Sequence, residues 1–198
     1  IIPEIYKKLN VDVTITPRPG KRAQSEAISG TKAGEIMRIF TYGKENPTTI
    51  RVPTPYYQLE TTPFIRKGSN VVINSKEDLG NYKVLKVRGV KHTNNITAHL
   101  KSNVTDAQNS QNMMEMLMGG RAQVALTNTV DGLLVLKAMD NNQIVPLKPL
   151  KTLDLYHYIH VNHKKYVPLV DAVIKEMKAS GELQKVIIAA EAKIIGGS

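Results

Sequence analysis

Histidines at positions 157, 160 and 163 are the densest group of potential metal ligands in the sequence. The first two fall on a stretch that reads as a strand, Leu155 to Val161, where a spacing of three sends their side chains to opposite faces. Neither a cysteine nor a nearby carboxylate completes a tetrahedral shell, so the pattern argues against a metal centre. The chain has no cysteine at all, which also excludes a thiol nucleophile and structural disulfides. No Gly-x-Ser-x-Gly turn, glycine–lysine phosphate loop or Rossmann glycine fingerprint occurs. The absence of these motifs leans against an enzyme, and no cofactor is expected.

Several groups are suited to holding a small polar solute. Arg38 and Arg51 each offer a planar fork that matches a carboxylate in bidentate fashion. Of the two tyrosines, one is expected to line a cleft and the other to pack beneath it. In "VRGVKHT", Arg88 can pair a carboxylate and Gly89 lets the backbone approach a ligand. Thr93 places a hydroxyl at a following helix N-terminus, where free N–H groups favour anions. Asn128 ends a strand and can hydrogen-bond a neutral polar group. Arg121, after a glycine pair, reads as structural. Met113, Met114, Met116 and Met118 read as adaptable core filler.

The elements that must position these groups are legible from periodicity. Residues 1 to 9 read as the end of an amphipathic helix. Val11, Val13 and Ile15 alternate with Asp12, Thr14 and Thr16, the period of a half-buried strand. A helix follows, stopping at Gly30, then a strand over 35 to 40 and an extended crossing that begins at Phe64. Beyond Ser75 the pattern alternates: strand Lys83 to Val87, helix, short strand, helix Asn109 to Met118, strand Ala122 to Leu126, helix Val130 to Met139. That order predicts a parallel sheet covered on both faces. A second extended segment precedes a helix carrying Val167, Val170, Val173, Ile174 and Met177 and ending at Gly181, then a final helix. Two extended crossings, near 62 to 70 and 146 to 156, divide the chain into lobe 1 (1–66 and 152–198) and lobe 2 (67–151), with a solute-sized cleft expected between them.

The 198 residues carry a net charge of +10, from 27 Lys and Arg against 17 Asp and Glu. The basic residues are scattered and no nucleic-acid motif accompanies them, so they read as a solvated surface, some of it able to draw in an anionic solute. No apolar run approaches the ~20 residues of a membrane span. The sequence opens on Ile in what reads as a helix already in progress, without a signal peptide. An upstream piece, carrying a targeting segment and the first strand of the fold, is therefore expected.

Four stretches, in this order, resemble the extracellular solute-binding proteins of family 3, the type II periplasmic binding fold. They are "PRPGKRAQSEAISGTKAGEIMRI", "IRVPTPYYQLETTPFIRKGS", "SKEDLGNYKVLKVRGVKHT" and "LYHYIHVNHKKYVPLVDAVIKEMKASGELQKV". The resemblance implies a two-lobed α/β clamp joined by two hinge strands, its N-terminal strand lying outside this sequence. It further implies a monomeric, periplasmic or surface-anchored receptor that closes on an amino acid or related organic anion and docks on an ABC permease, with the carboxylate-binding Arg near Arg38 or Arg51, of which spacing to the Tyr56–Tyr57 pair favours Arg38. The alternatives on this fold are a ligand-sensing domain of a membrane receptor and a catalytic relative. This sequence departs from the family at two points. Ala33–Gly34 stands where an Asp–Gly pair is common. In "GRAQVALTN", Asn128 replaces the Asp that usually accepts a ligand's α-amino group, and an amide cannot supply that charge-assisted bond.

Overall fold

The computed structural model describes residues 1–100 and 102–196. The chain forms two compact units, Ile1–Gln58 with Leu153–Lys193, and Leu59–Thr152. The first unit begins with α1 (Ile2–Lys7), α2 (Gly20–Ile28), β1 (Gly34–Arg38), α3 (Tyr42–Glu45) and β2 (Thr49–Arg51). β3 (Tyr57–Arg66) carries the chain into the second unit. That unit holds β4 (Val84–Val87), α4 (Lys91–Thr97), β5 (Val104–Ala107), α5 (Ser110–Met118), β6 (Val124–Asn128), α6 (Thr129–Ala138) and β7 (Ile144–Pro146). β8 (Lys151–His160) returns to the first unit, followed by α7 (Tyr166–Ala179) and α8 (Glu182–Gly196). No helix among the described residues is long and apolar enough to cross a membrane.

In the first unit β8 is central. Gly34 of β1 and Ile50 of β2 both lie opposite Ile159, one on each edge, and both pairings are antiparallel. The core beneath is built by α7, whose buried Val170, Val173, Ile174 and Met177 recur at helical spacing and meet Ile2, Ile5 and Tyr6 of α1. Gly181, at φ +75°, lets the chain turn out of the last turn of α7.

In the second unit β4 runs parallel to both β5 and β6, while β3 pairs antiparallel with β6 and with β7. Val124, Ala125 and Leu126 of β6 are all fully buried, because both faces of that strand are covered. On one side Ala125 packs with Phe64, Leu85 and the α5 residues Met113, Met114 and Leu117; on the other, Val124 and Leu126 pack with Leu79 and Ile96. Met113 and Met114 are thus core residues, whereas Met118 is exposed. Asn109 caps α5 by accepting a hydrogen bond from the backbone N–H of Asn112.

Three expectations need correction. Residues 11–16 form no strand: Val11 and Val13 are half-buried and Asp12 and Thr14 exposed, but no ladder partner stands beside them among the described residues. Alternation sets which side chains face the core; a strand also needs a neighbour for its backbone. β1 stops at Arg38, since a bulge between Glu35 and Arg38, with Met37 at φ 58°, turns the chain and leaves Ile39 and Phe40 exposed. β3 already begins at Tyr57 and β6 runs two residues later than its apolar run implied, because pairing between them spans Thr61–Phe64 and Ala125–Asn128.

Candidate functional site

The two arginines of the first unit are in different situations. Arg38 forms an ion pair with Glu35, whose other carboxylate oxygen accepts from the Tyr42 hydroxyl. Arg38 also donates to the Gly20 carbonyl at 3.3 Å and lies 4.8 Å from the Tyr42 ring centroid. Glu35 is 7% exposed, so Arg38 is spent on neutralising a buried carboxylate. Burial, and then the bond to Glu35, push the Tyr42 hydroxyl well above the usual phenol range.

Arg51 has no carboxylate within ion-pair distance among the described residues. Its guanidinium lies 3.5 Å above the Phe40 ring and 5.1 Å from the Tyr156 centroid, and donates to the Phe40 carbonyl at 3.0 Å. Its Nε is buried and unpartnered. Fully buried Tyr158 fixes this loop by donating to the carbonyls of Ile39 and Phe40 at 3.0 and 2.7 Å. The result is a fork held in place by an exposed aromatic ring, its charge not cancelled by a neighbour. Such a group can take an anion without first breaking an ion pair.

Tyr56 is buried and its hydroxyl accepts from the Met37 backbone N–H at 3.1 Å, so it supports the bulge of β1 from below. Tyr57 donates to Glu191 of α8 at 2.7 Å.

In the second unit Arg88 projects into solvent with Asp106 at 3.9 Å. Gly89 adopts φ +80° with open space where a side chain would stand. Thr93 is 1% exposed and its hydroxyl donates back to the Val90 carbonyl at 3.0 Å, closing the first turn of α4. Asn128 is the N-cap of α6: its oxygen accepts from the Asp131 N–H at 2.8 Å and its amide donates to the Asp131 carboxylate. Both ends of that amide are therefore engaged locally.

Beside this cap lies a polar group that the sequence reading missed. Thr61 bonds His92 Nδ1 at 2.8 Å, Thr62 bonds Thr129 at 2.7 Å, and Thr129 donates to Glu60 at 2.9 Å. Burial holds His92 below the usual imidazole range, opposed by the charge of Asp131. The signal was available in Glu60-Thr61-Thr62 at the middle of an extended segment, where polar residues interrupt an otherwise apolar crossing.

The first unit also contains a cavity of about 670 Å³ lined by residues 11–18, β1, Ile2 and Tyr6, with His157 and Tyr166. His157 Nδ1 bonds the Glu35 carbonyl at 2.9 Å, so the proton sits on Nδ1, and Nε2 accepts from the Tyr6 hydroxyl at 2.8 Å. Burial lowers His157 to about 4 and raises Tyr6 to about 12. Between these folded and unfolded values, about pH 4 to 6.5, the unfolded chain binds the extra proton. Stability is thus expected to fall as pH drops through that window, by about 3 kcal/mol at most. Urea unfolding of His157→Asn should show a flatter pH dependence there than the parent; parallel slopes would refute the assignment. No cluster of three or more His, Asp or Glu among the described residues can hold a metal ion.

No protein-family profile matches the chain. An uncharacterized protein of Shewanella oneidensis is 25% identical over 174 residues, which cover 84% of this chain and 65% of that relative, so the chain spans just under two thirds of it. Among solved structures, an ancestral cationic amino acid solute-binding protein aligns with TM-score 0.72 and 19% identity, over 93% of this chain and 80% of the other. An amino acid ABC transporter substrate-binding protein of Streptococcus pneumoniae, bound to L-arginine, gives 0.67 and 19%, over 96% and 81%. A histidine kinase sensor domain similar to periplasmic binding proteins gives 0.68 and 14%, over 93% and 81%. With its two α/β units and the two strands that carry the chain between them, this protein has the fold of the periplasmic solute-binding proteins.

Proposed function

We propose that this chain is the solute-binding component of an ABC transporter, working outside the cytoplasm, and that its solute is an amino acid or related organic anion engaged through a carboxylate. The observation that carries the reading is Arg51: stacked on Phe40, hydrogen-bonded to the backbone, and without a carboxylate partner among the described residues. The fold shared with amino acid receptors supports it. The protein binds and releases its solute unchanged, acts as a monomer and hands the solute to a membrane permease. Asn128, committed to capping α6, leaves the α-amino group of an amino acid without the carboxylate it usually meets, which favours organic anions over zwitterions.

The test is a thermal-shift screen of the full gene product against amino acids, organic acids, polyamines, sugars and short nucleic acids. A ligand that binds only the folded state raises Tm by mass action, about 2.7 kcal/mol of stabilisation at a hundredfold excess over Kd. A shift with carboxylate solutes is expected; a shift confined to nucleic acids or neutral sugars would overturn the reading. A sensory role is the second reading, and the likeness to the histidine kinase sensor domain fits it. It predicts a membrane span and signalling domain in the same gene product, where transport predicts a separate permease.

A further inference from the structure

β3 enters the second unit with three polar residues in a row, Glu60, Thr61 and Thr62, and the two threonines are 0% and 1% exposed. Alternation along the strand sends Thr61 to one face and its two neighbours to the other. Each face is tied to a different helix. On one, the Thr61 hydroxyl meets Nδ1 of His92, the second residue of α4. On the other, Thr62 and Glu60 both meet Thr129, the first residue of α6. The strand is therefore clasped from both sides where the chain enters this unit.

The directions of these bonds follow from counting donors. Thr129 gives its proton to Glu60, so the bond between the two threonines is donated by Thr62. The Thr61 hydroxyl has no partner other than His92 among the described residues, and a buried hydroxyl that donates nowhere keeps its full desolvation penalty. Thr61 thus donates to Nδ1, which leaves the proton of the neutral ring on Nε2. A protonated ring carries a hydrogen on both nitrogens. Thr61 would then face a donor, and its own hydrogen would turn toward packed surroundings where no acceptor stands among the described residues.

We propose that Thr61 and His92 form a proton-sensitive clasp: the neutral ring holds β3 to α4, and protonation of His92 releases that face while the Thr62–Thr129–Glu60 face, which contains no imidazole, stays closed. The surroundings set the sense of the switch. Burial holds His92 below the ordinary value of 6.5, and its place in the first turn of α4 sets a cation against the positive end of the helix dipole. The charged groups on the neighbouring elements are Asp131 of α6, Glu60 of β3, Arg88 and Lys91 in the turn into α4, and Lys148 and Lys151 flanking Leu150, whose N–H bonds the Thr61 carbonyl. Of these Asp131 acts on His92, favouring the charged ring against the effect of burial. The clasp is closed at neutral pH and opens as pH falls below 6.5. On the proposed function, this makes the second unit's grip on its crossing strand follow the pH outside the cytoplasm; the clasp itself does not rest on that function.

The experiment is NMR of the protein between about pH 4.5 and 8, across the range where an imidazole titrates. It reads the ring nitrogens of His92, identified by their loss in His92→Gln, and the methyl carbon of Thr61, which reports its side-chain rotamer. The expected result is a neutral ring protonated on Nε2 and a His92 midpoint below 6.5. The Thr61 methyl signal should move with that midpoint while that of Thr62 stays still. Thr61→Val keeps the shape and removes the donor, so it should raise the proton affinity of His92 about threefold, and Thr61→Ser should restore it. In the parent protein alone, a neutral ring protonated on Nδ1, or a Thr61 methyl signal indifferent to pH, would overturn the proposal, even should Thr61→Val fail to fold. An unchanged His92 midpoint in a folded Thr61→Val would overturn it too. No solute is added, so the outcome is separate from that of the binding screen.

Discussion

On the proposed function, Arg51→Ala is expected to weaken binding of a carboxylate solute at least about 30-fold, a loss of about 2 kcal/mol, as read by titration calorimetry. The charge-assisted fork is removed while the fold is spared, because the residue sits on the short strand β2 and its partners are the Phe40 carbonyl and two ring faces. Arg51→Lys should recover only part of the affinity, since an ammonium offers neither the bidentate geometry nor the planar stack on Phe40. Arg38→Ala makes the contrast. It leaves buried Glu35 with the Tyr42 hydroxyl as its remaining side-chain partner, so it should lower Tm and change solute affinity by less than about threefold. The opposite pattern, with affinity lost in the Arg38 variant and kept in the Arg51 variant, would move the anion site to Arg38.

Spacing to the tyrosine pair points to Arg38, and the structure shows why spacing alone cannot separate the two arginines. What distinguishes them is Glu35, adjacent in sequence to neither, brought onto Arg38 by the bulge at Met37. Local features were legible. The buried stripe of α7 and the order of β4 to α6 both follow from apolar spacing that acts within a few positions. Features that depend on a distant partner were not. Residues 11–16 have the alternation of a strand, but a ladder needs a neighbour that the pattern does not reveal. Thr93 and Asn128 have side chains that suit a ligand equally well as a local backbone group, and in both the local bond is made. The Glu60–Thr129 and Thr61–His92 contacts join residues 69 and 31 positions apart, beyond any spacing rule.

A large loss of stability is expected from Gly132→Ala. An added Cβ would stand 2.2 Å from Phe64 Cζ and 2.5 and 2.8 Å from two other ring carbons. That ring is fully buried among Leu85, Met113, Leu117 and Ala125, so it has no free space to swing into. Either the ring leaves its rotamer or α6 lifts from β3. Overpacking of this kind costs about 2–3 kcal/mol, or roughly 5–10 °C of Tm in a chain this long. The double variant Gly132→Ala with Phe64→Leu should recover much of the loss, giving a coupling of at least about 1 kcal/mol between two residues 68 positions apart. Gly20→Ala, at the start of α2 with nothing within 4 Å, serves as the neutral control. An unchanged Tm in Gly132→Ala would mean that α6 does not approach β3 this closely. The consequence reaches the polar group of the second unit: β3 carries Glu60, Thr61 and Thr62, and α6 opens with the Asn128 cap and Thr129. A helix held off by one methyl group would stretch the Thr62–Thr129 and Thr129–Glu60 bonds, so Gly132 fixes the geometry of that cluster as well as the packing beneath it.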